Sequence, residues 1–453
     1  MMSLYVLLGT AAAVYLVFLN KRVSGPQGSD REAPSPLTLA LLDGASYADI
    51  DLTEGIPSAT HKGYAIIGGS GFLGSYLIRL LLLRGETNIR VVDLNPPETA
   101  ISSQTAVSFI RADITDPVSI RDALLQPFDT TGSPPTVIYH TAALIRFWER
   151  LYYTWHLSYK VNVLGTRNIV AAAKDIPGAV LIYTSTADAV VHSTKFFRLG
   201  LDAKHPPWNK CAISDDDPPL GPWEQHESCY AKSKVLADRL IISANGQSGL
   251  KTGIIRPGYT IVGPNDRLCT STLTMPRIPN FGKRYRQTDI CAWDAVSAHL
   301  LLEDALDRVP EEAAGQAYLV TGKGSAWSLG NIRAAIKHVS NRPLIFDDIP
   351  ELLVLILAHV IEAFLFLRYH ILLPFCLAVG RLPRPDPRWM GEGVYLQPAT
   401  LEFMADITID DSRARKVLGY MPKWAPEQWI KYTVDEVSSG RTHSGHGLQL
   451  KSS

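Results

Sequence analysis

Tyr230 and Lys234 stand four apart in Tyr230-Ala231-Lys232-Ser233-Lys234, a spacing that puts both side chains on one face of a helix. A free tyrosine ionises near pH ~10, and a neighbouring ammonium favours the phenolate, so such a pair can exchange a proton with a substrate hydroxyl near neutral pH. Upstream, Thr184-Ser185-Thr186 closes an apolar run, Ala179 to Tyr183, that reads as a strand. A hydroxyl delivered there, on Ser185 or on Thr186, would hold the substrate oxygen, and the register leaves both open. Tyr-x-x-x-Lys arises by chance in a chain with 18 tyrosines, so its weight comes from what surrounds it.

Gly68-Gly69-Ser70-Gly71-Phe72-Leu73-Gly74 follows an apolar stretch, Tyr64 to Ile67, and opens a helical pattern through Leu83. Gly68 and Gly71 allow a tight turn and close approach of a pyrophosphate to the amides at Phe72 and Leu73, and Gly74 lets helix pack on strand. A second strand, Ile89 to Val92, closes on Asp93. An acid about 20 residues past the glycines accepts hydrogen bonds from the adenosine ribose and repels a 2′-phosphate, which favours NAD over NADP, although Arg90 lies close by. Asp113 follows a third strand, where it either touches the adenine edge or forms an Asx-turn. In His140-Thr141-Ala142-Ala143 the small Ala142 would let the cofactor lie on backbone, and His140 reads as a packed residue rather than a base.

These residues need a frame that carries them to one edge. Val107 to Ile110, Thr136 to Tyr139, Ala179 to Tyr183 and Gly253 to Ile255 are further strand-like runs separated by helical patterns. That alternation predicts a doubly wound parallel α/β sheet of Rossmann type, with its crevice at the carboxyl ends of the strands.

With these motifs in place the chain resembles the extended short-chain dehydrogenase/reductase superfamily over roughly residues 62–345, plus a piece around Asp410 to Pro422. Val161-Asn162-Val163-Leu164-Gly165-Thr166, Ile255-Arg256-Pro257-Gly258 and Gly263-Pro264 carry the likeness beyond the motifs above. The resemblance implies that Asn162 supports the active site, that Pro257 lies against the nicotinamide, and that the catalytic hydroxyl is Ser185 or Thr186. Lys234 would bind the nicotinamide ribose. Within that superfamily the chain is similar to the 3β-hydroxysteroid and sterol-4α-carboxylate 3-dehydrogenase group. Tyr139-His140-Thr141-Ala142-Ala143, Trp293 through Leu300, Gly315-Gln316-Ala317-Tyr318 and Ala414 through Tyr420 carry that narrower match. The group usually has Asn where Ala295 stands, and the polar, Pro-rich insert between Thr186 and Tyr230 is longer than usual. The implied activity is NAD-dependent oxidation of a 3β-hydroxyl on a sterol or similar terpenoid, with loss of CO₂ if a 4α-carboxylate is present.

The 453 residues carry 44 Lys plus Arg against 44 Asp plus Glu, which argues against a nucleic-acid partner drawn by net charge. Five dispersed cysteines, without Cys-x-x-Cys, read as reduced thiols, and His and Cys lack metal-ligand spacing, so no metal is expected. A mean hydropathy of +0.04 is high for a soluble enzyme. Two stretches account for it. Leu4 to Leu19 is uncharged and followed by Lys21 and Arg22, as expected of an N-terminal anchor that leaves the rest of the chain in the cytosol. Leu352 to Val379 is apolar but carries His359, Glu362 and His370 on one helical face, as expected of a helix lying in the interface or packed on protein.

The expected organisation is therefore an anchor (1–22), a linker with at most one short helix (23–60), a Rossmann domain (61–270) and a smaller substrate-binding lobe (271–453) containing the apolar segment 352–379. The expected location is the endoplasmic reticulum membrane, with the catalytic domain facing the cytosol; a homodimer is left open. Two other readings are a nucleotide-sugar epimerase or dehydratase, which needs a polar, cationic pocket and no anchor, and a membrane-tethered NAD-binding protein without turnover, which needs neither Tyr230 nor Lys234.

Overall fold

The computed structural model describes residues 2–191, 194, 196–197, 210–215, 228–275 and 277–440. Most of the insert between Thr186 and Tyr230 lies outside them, as does the Cys211 side chain. The expected strand runs form β1 (Tyr64–Ile67), β2 (Ile89–Asp93), β3 (Val107–Arg111), β4 (Val137–His140), β5 (Val180–Thr184) and β6 (Lys251–Pro257). A strand that the pattern does not single out, β7 (Ala317–Val320), completes a seven-stranded sheet in the order β3-β2-β1-β4-β5-β6-β7. All pairings are parallel. β1, β4 and β5 are buried along their whole length because both faces are covered, which is why they read as unbroken apolar runs.

One face is covered by α2 (Phe72–Arg84) and α4 (Ala292–Arg308), whose Leu77, Leu81, Ala298 and Leu302 share one core cluster. The other carries the helices Pro117–Leu125 and Thr166–Ala173 together with α3 (Cys229–Ala244), around Ile120, Ile169 and Ile241. The expected boundary at residue 270 is crossed by the fold, since α4 and β7 come after it and return to the sheet. Segment 23–60 holds one α-helix, Pro36–Gly44, capped by Ser35, and a short 3-10 helix, Ser29–Arg31, but it is no free tether. Leu42 is fully buried in the main core, and Arg31 pairs with Asp406 at 2.9 Å. The smaller lobe is a four-stranded sheet of Trp327–Ser328, Arg286–Gln287, Asp406–Ile409 and Lys210–Ile213, assembled from segments far apart in the chain.

Two helices are long and apolar enough to cross a membrane: α1 (Met2–Val23) and α5 (Glu351–Leu377). α1 touches the protein at its C-terminal end, where Leu19 and Val23 are buried against Val354, Leu355 and Ala358 of α5. The inward face of α5 buries Val354, Leu355, Ala358 and Leu365 and carries Glu362, which accepts from Arg150 at 2.6 and 2.7 Å; the exposed Tyr152 is hydrogen-bonded to His370. Leu353, Ile356, Leu357, Val360, Phe364 and Leu367, three or four apart, form an exposed apolar stripe.

Candidate active site

β1 and β4 are neighbours whose following helices lie on opposite faces, so the chain parts between their carboxyl ends and opens a crevice there. Gly68 turns the chain at φ +83°, and a Cβ on it would sit 2.5 Å from the Ala142 amide nitrogen. A Cβ on Gly74 would strike the Gly68 carbonyl. Both glycines are thus required, one by conformation and contact, the other by helix packing. Gly71 caps α2, whose first turn holds Phe72, Leu73 and Gly74; helix starts offer amide N–H groups to an anion. Asp93 lies across this turn, its carboxylate accepting the Ser70 N–H at 3.1 Å and the Asn95 N–H at 3.3 Å. Arg90 is turned away, buried under the sheet with its guanidinium donating to the carbonyls of Ala123 and Pro127 and stacked on Phe128. Asp113 forms the Asx-turn, accepting the Thr115 N–H at 2.8 Å.

The second cluster stands at the carboxyl end of β5. Ser228 caps α3 by accepting the Tyr230 N–H at 3.2 Å, which places Tyr230 in the first turn and Lys234 one turn on. The Lys234 ammonium donates to the Thr184 carbonyl at 2.8 Å and lies 5.9 Å from the centre of the Tyr230 ring. Burial pulls its pKa down to about 8, against the pull of Asp238. Burial first and the Asp188 carboxylate second raise the Tyr230 pKa, against the pull of the Thr186 hydroxyl. Burial and carboxylate both favour the phenol over the expected phenolate in the ligand-free protein. Of the two open hydroxyls, that of Thr186 bears on the Tyr230 phenol, while the Ser185 hydroxyl is buried and has no hydrogen-bond partner among the described residues.

Asn162 sits in a π-helical turn, Tyr159–Gly165. Its amide brackets Leu144, accepting the N–H at 2.7 Å and donating to the carbonyl at 3.0 Å, and also donates to Ser233 at 2.8 Å. The extra residue of a π-turn rotates a side chain out of the ordinary helical register, and here it ties the segment after β4 to α3. His140 is fully buried with Nε2 on the Thr166 hydroxyl at 2.9 Å, and burial beside Lys234 pushes its pKa down to about 3. It is a neutral structural residue.

Ser185, Thr186, Tyr230 and Pro257 open onto one cavity of about 420 Å³ with a mainly apolar wall, formed in part by Phe72, Ile145 and Phe403. Four charged residues that the motif reading did not single out line it, Asp188, Asp266, Arg267 and Glu402. Asp188 lies two residues past Thr186, its carboxyl pushed up to about 7 by burial. Arg267 follows Asp266, whose carboxylate is occupied by the N–H groups of Gly263, Cys269 and Thr270. The only signal for Asp188 or Arg267 was nearness to a motif: Thr184-Ser185-Thr186 in one case, Gly263-Pro264 in the other.

Residues 65–323, more than half of the chain, match the 3-beta hydroxysteroid dehydrogenase/isomerase family. The chain is 27% identical over 403 residues to a 3beta-hydroxysteroid-dehydrogenase/decarboxylase, isoform 1, of Arabidopsis thaliana, covering 84% of this chain and 80% of that one. It is 25% identical over 386 residues to a sterol-4-alpha-carboxylate 3-dehydrogenase, decarboxylating, of Candida albicans, covering 82% of this chain and 96% of the other. Among solved structures, MoeE5 in complex with UDP-glucuronic acid and NAD superposes with a TM-score of 0.55 at 18% identity, over 83% of this chain and 99% of that one. A UDP-glucose 4-epimerase from Thermotoga maritima gives 0.56 at 15% identity, over 84% and 99%. At such identities these two likenesses speak for the fold, while the sequence match speaks for descent: the chain belongs to the 3-beta hydroxysteroid dehydrogenase/isomerase family.

Proposed function

We propose that this protein oxidises the 3β-hydroxyl of a sterol with NAD⁺, and that a 4α-carboxylate on the same substrate then leaves as CO₂. The observation that carries the reading is that Tyr230 and Thr186 line one apolar cavity, which Phe72 of the helix after the glycine turn also lines, with the Lys234 ammonium 5.9 Å from the centre of the Tyr230 ring. The printed activities of the Arabidopsis and Candida relatives support the same substrate class. The backbone cradle at Gly68 and Gly74, closed to any side chain, fits a dinucleotide pyrophosphate. NAD⁺, when bound, supplies the hydride acceptor.

The chain's own residues do the rest. Thr186 and Tyr230 hold the carbinol oxygen. Tyr230 acts from its phenolate, its own proton going to solvent as Lys234 and a cationic nicotinamide favour that form. Oη then takes the carbinol proton as the C3–H electron pair departs as hydride. Lys234, with one N–H spent on the Thr184 carbonyl, keeps other donors for the nicotinamide ribose and places a positive charge below the ring. Asn162 holds the frame. If C4 carries a carboxylate, the product is a β-keto acid: the C4–carboxyl bond breaks, CO₂ leaves, the electron pair forms the C3–C4 enolate, and the proton that Tyr230 took returns to C4. No further protein base is required.

Asp93 beside the glycine turn, together with the commitment of Arg90 to backbone carbonyls, supports NAD over NADP. The exposed stripe of α5 and the bare length of α1, ending in Lys21 and Arg22, support a membrane location with the catalytic domain in the cytosol, at the endoplasmic reticulum. The mainly apolar wall speaks against a nucleotide-sugar pocket. The test supplies purified protein and NAD⁺ with a 4α-carboxysterol, the same sterol without the carboxylate, and a C19 steroid, and follows NADH and CO₂. Undiminished turnover in Tyr230→Phe would sink the mechanism, and activity with NADP⁺ alone would sink the cofactor assignment.

A further inference from the structure

Several buried or half-buried guanidinium groups in this protein have polar partners. Arg84 contacts Glu86 and Glu303, Arg146 contacts Glu149 and Asp386, Arg256 is bonded to Asp238, and Arg90 reaches backbone carbonyls. Taking such a cation out of water without a partner is costly, which is why such pairing is expected. Arg267, half-buried, departs from it. It makes no hydrogen bond and no ion pair among the described residues, and its neighbours are the rings of Phe147, Trp148 and Tyr395, with centroids 5.8 to 5.9 Å from the guanidinium carbon. Aromatic faces steady a guanidinium but leave its in-plane N–H donors unspent. Asp266, adjacent in the chain, has its carboxylate occupied by backbone N–H groups. Glu392 bears on Arg267 only through space. Arg267 also lines the cavity that holds Tyr230 and Thr186.

We propose that Arg267 binds the carboxylate of the substrate and thereby selects 4α-carboxylated sterols over neutral ones. The inference rests on the sterol dehydrogenase reading and deepens it. A planar guanidinium with free donors matches a carboxylate in a two-pronged pair, and an apolar wall around it strengthens that pair by excluding water. A sterol without the carboxylate would leave Arg267 unpaired in the filled cavity, and that penalty makes the selection. Loss of CO₂ removes the charge that Arg267 holds, so the ketone product is released from the same contact.

The experiment measures equilibrium binding, by tryptophan fluorescence, of a 3β-hydroxy-4α-carboxysterol, its 4α-methyl counterpart and UDP-glucose to the full-length protein, alongside turnover with NAD⁺. The wild type is expected to prefer the carboxysterol at least tenfold over the methyl sterol. Arg267→Gln is expected to erase that preference, and Arg267→Lys to restore part of it. A wild type with no preference, or an Arg267→Gln protein in which both sterols weaken equally, would overturn the inference while leaving the dehydrogenase reading intact. Selective weakening of UDP-glucose instead would overturn it in favour of a nucleotide ligand. Carboxysterol preference lost in Arg267→Gln without any NADH formed would uphold Arg267 as the anion site and sink the dehydrogenase reading.

Discussion

The side-chain amide of Asn162 donates to the Ser233 hydroxyl at 2.8 Å, and Ser233 in turn donates to the Tyr230 carbonyl at 2.7 Å. One buried amide thus connects the segment after β4 to the turn of α3 that carries Tyr230. Asn162→Ala would leave the N–H and C=O of Leu144 without partners, at roughly 1–3 kcal/mol for each buried group. The expected result is a stability loss of about 2 kcal/mol or more in chemical denaturation. A fall in kcat larger than any rise in KM should accompany it; unchanged kcat in a stably folded variant would remove Asn162 from the positioning of Tyr230.

The Thr186 hydroxyl, rather than that of Ser185, bears on the Tyr230 phenol. A donor aimed at the reacting oxygen is worth about 10²–10³ in rate. Thr186→Ala should therefore lower kcat by about a hundredfold, Thr186→Ser should recover most of it, and Ser185→Ala should stay within a few-fold of the wild type. Steady-state kinetics on the three variants decides, and the reverse order would assign the catalytic hydroxyl to Ser185.

Gly68→Ala combines a backbone at φ +83° with a Cβ lying 2.5 to 3.0 Å from Ala142. The variant should fold with a displaced turn and bind NADH at least tenfold more weakly by fluorescence titration. Wild-type affinity would mean that the turn does not carry the pyrophosphate.

The exposed stripe of α5 predicts partitioning to lipid. Leu357→Glu together with Phe364→Glu places charge on that face without touching Arg150, Glu362 or His370. Combined with deletion of residues 1–22, it should shift the protein from the membrane pellet to the supernatant on flotation. Continued recovery with membranes would relocate the contact.

The sheet and its switch point were legible because they rest on local pattern: β1, β2 and the glycine turn are contiguous, and Tyr230 and Lys234 share one helix face. β7 was not, since Ala317–Val320 is only four apolar residues and gains its identity from the register with Ile254 to Pro257. The choice between Ser185 and Thr186 depends on how the chain leaves β5. The pairing of Arg90 with carbonyls near Ala123, and the unspent donors of Arg267, depend on segments brought together only by folding. Sequence spacing likewise places Lys234 beside Tyr230 but carries no measure of burial, and burial is what makes Tyr230 a phenol in the ligand-free state.

Buried titratable groups set the pH of greatest stability. His140 and His299 are held neutral by burial, with pKa values lowered from 6.5 to about 3 and about 4. Below pH 6.5 the unfolded chain binds the extra protons, so this contribution is lost as the pH falls from 6.5 towards those values. Asp188 and Asp289 act in the opposite sense, since burial raises them from 3.8 to about 7 and about 8. Between pH 3.8 and those values the folded protein binds more protons than the unfolded chain, so stability declines as the pH rises through that range. Above pH 6.5 the histidines no longer contribute, and the carboxyl groups should dominate up to about pH 8, where Lys234 begins to favour folding again as its depressed ammonium deprotonates. The melting temperature should therefore fall between pH 6.5 and 8. Asp289 has an oxygen that is buried without a hydrogen-bond partner, so Asp289→Asn, of nearly the same shape and always neutral, should flatten that fall. Thermal melts of wild type and variant across this interval provide the check, and parallel slopes would mean that Asp289 is already ionised in the folded protein.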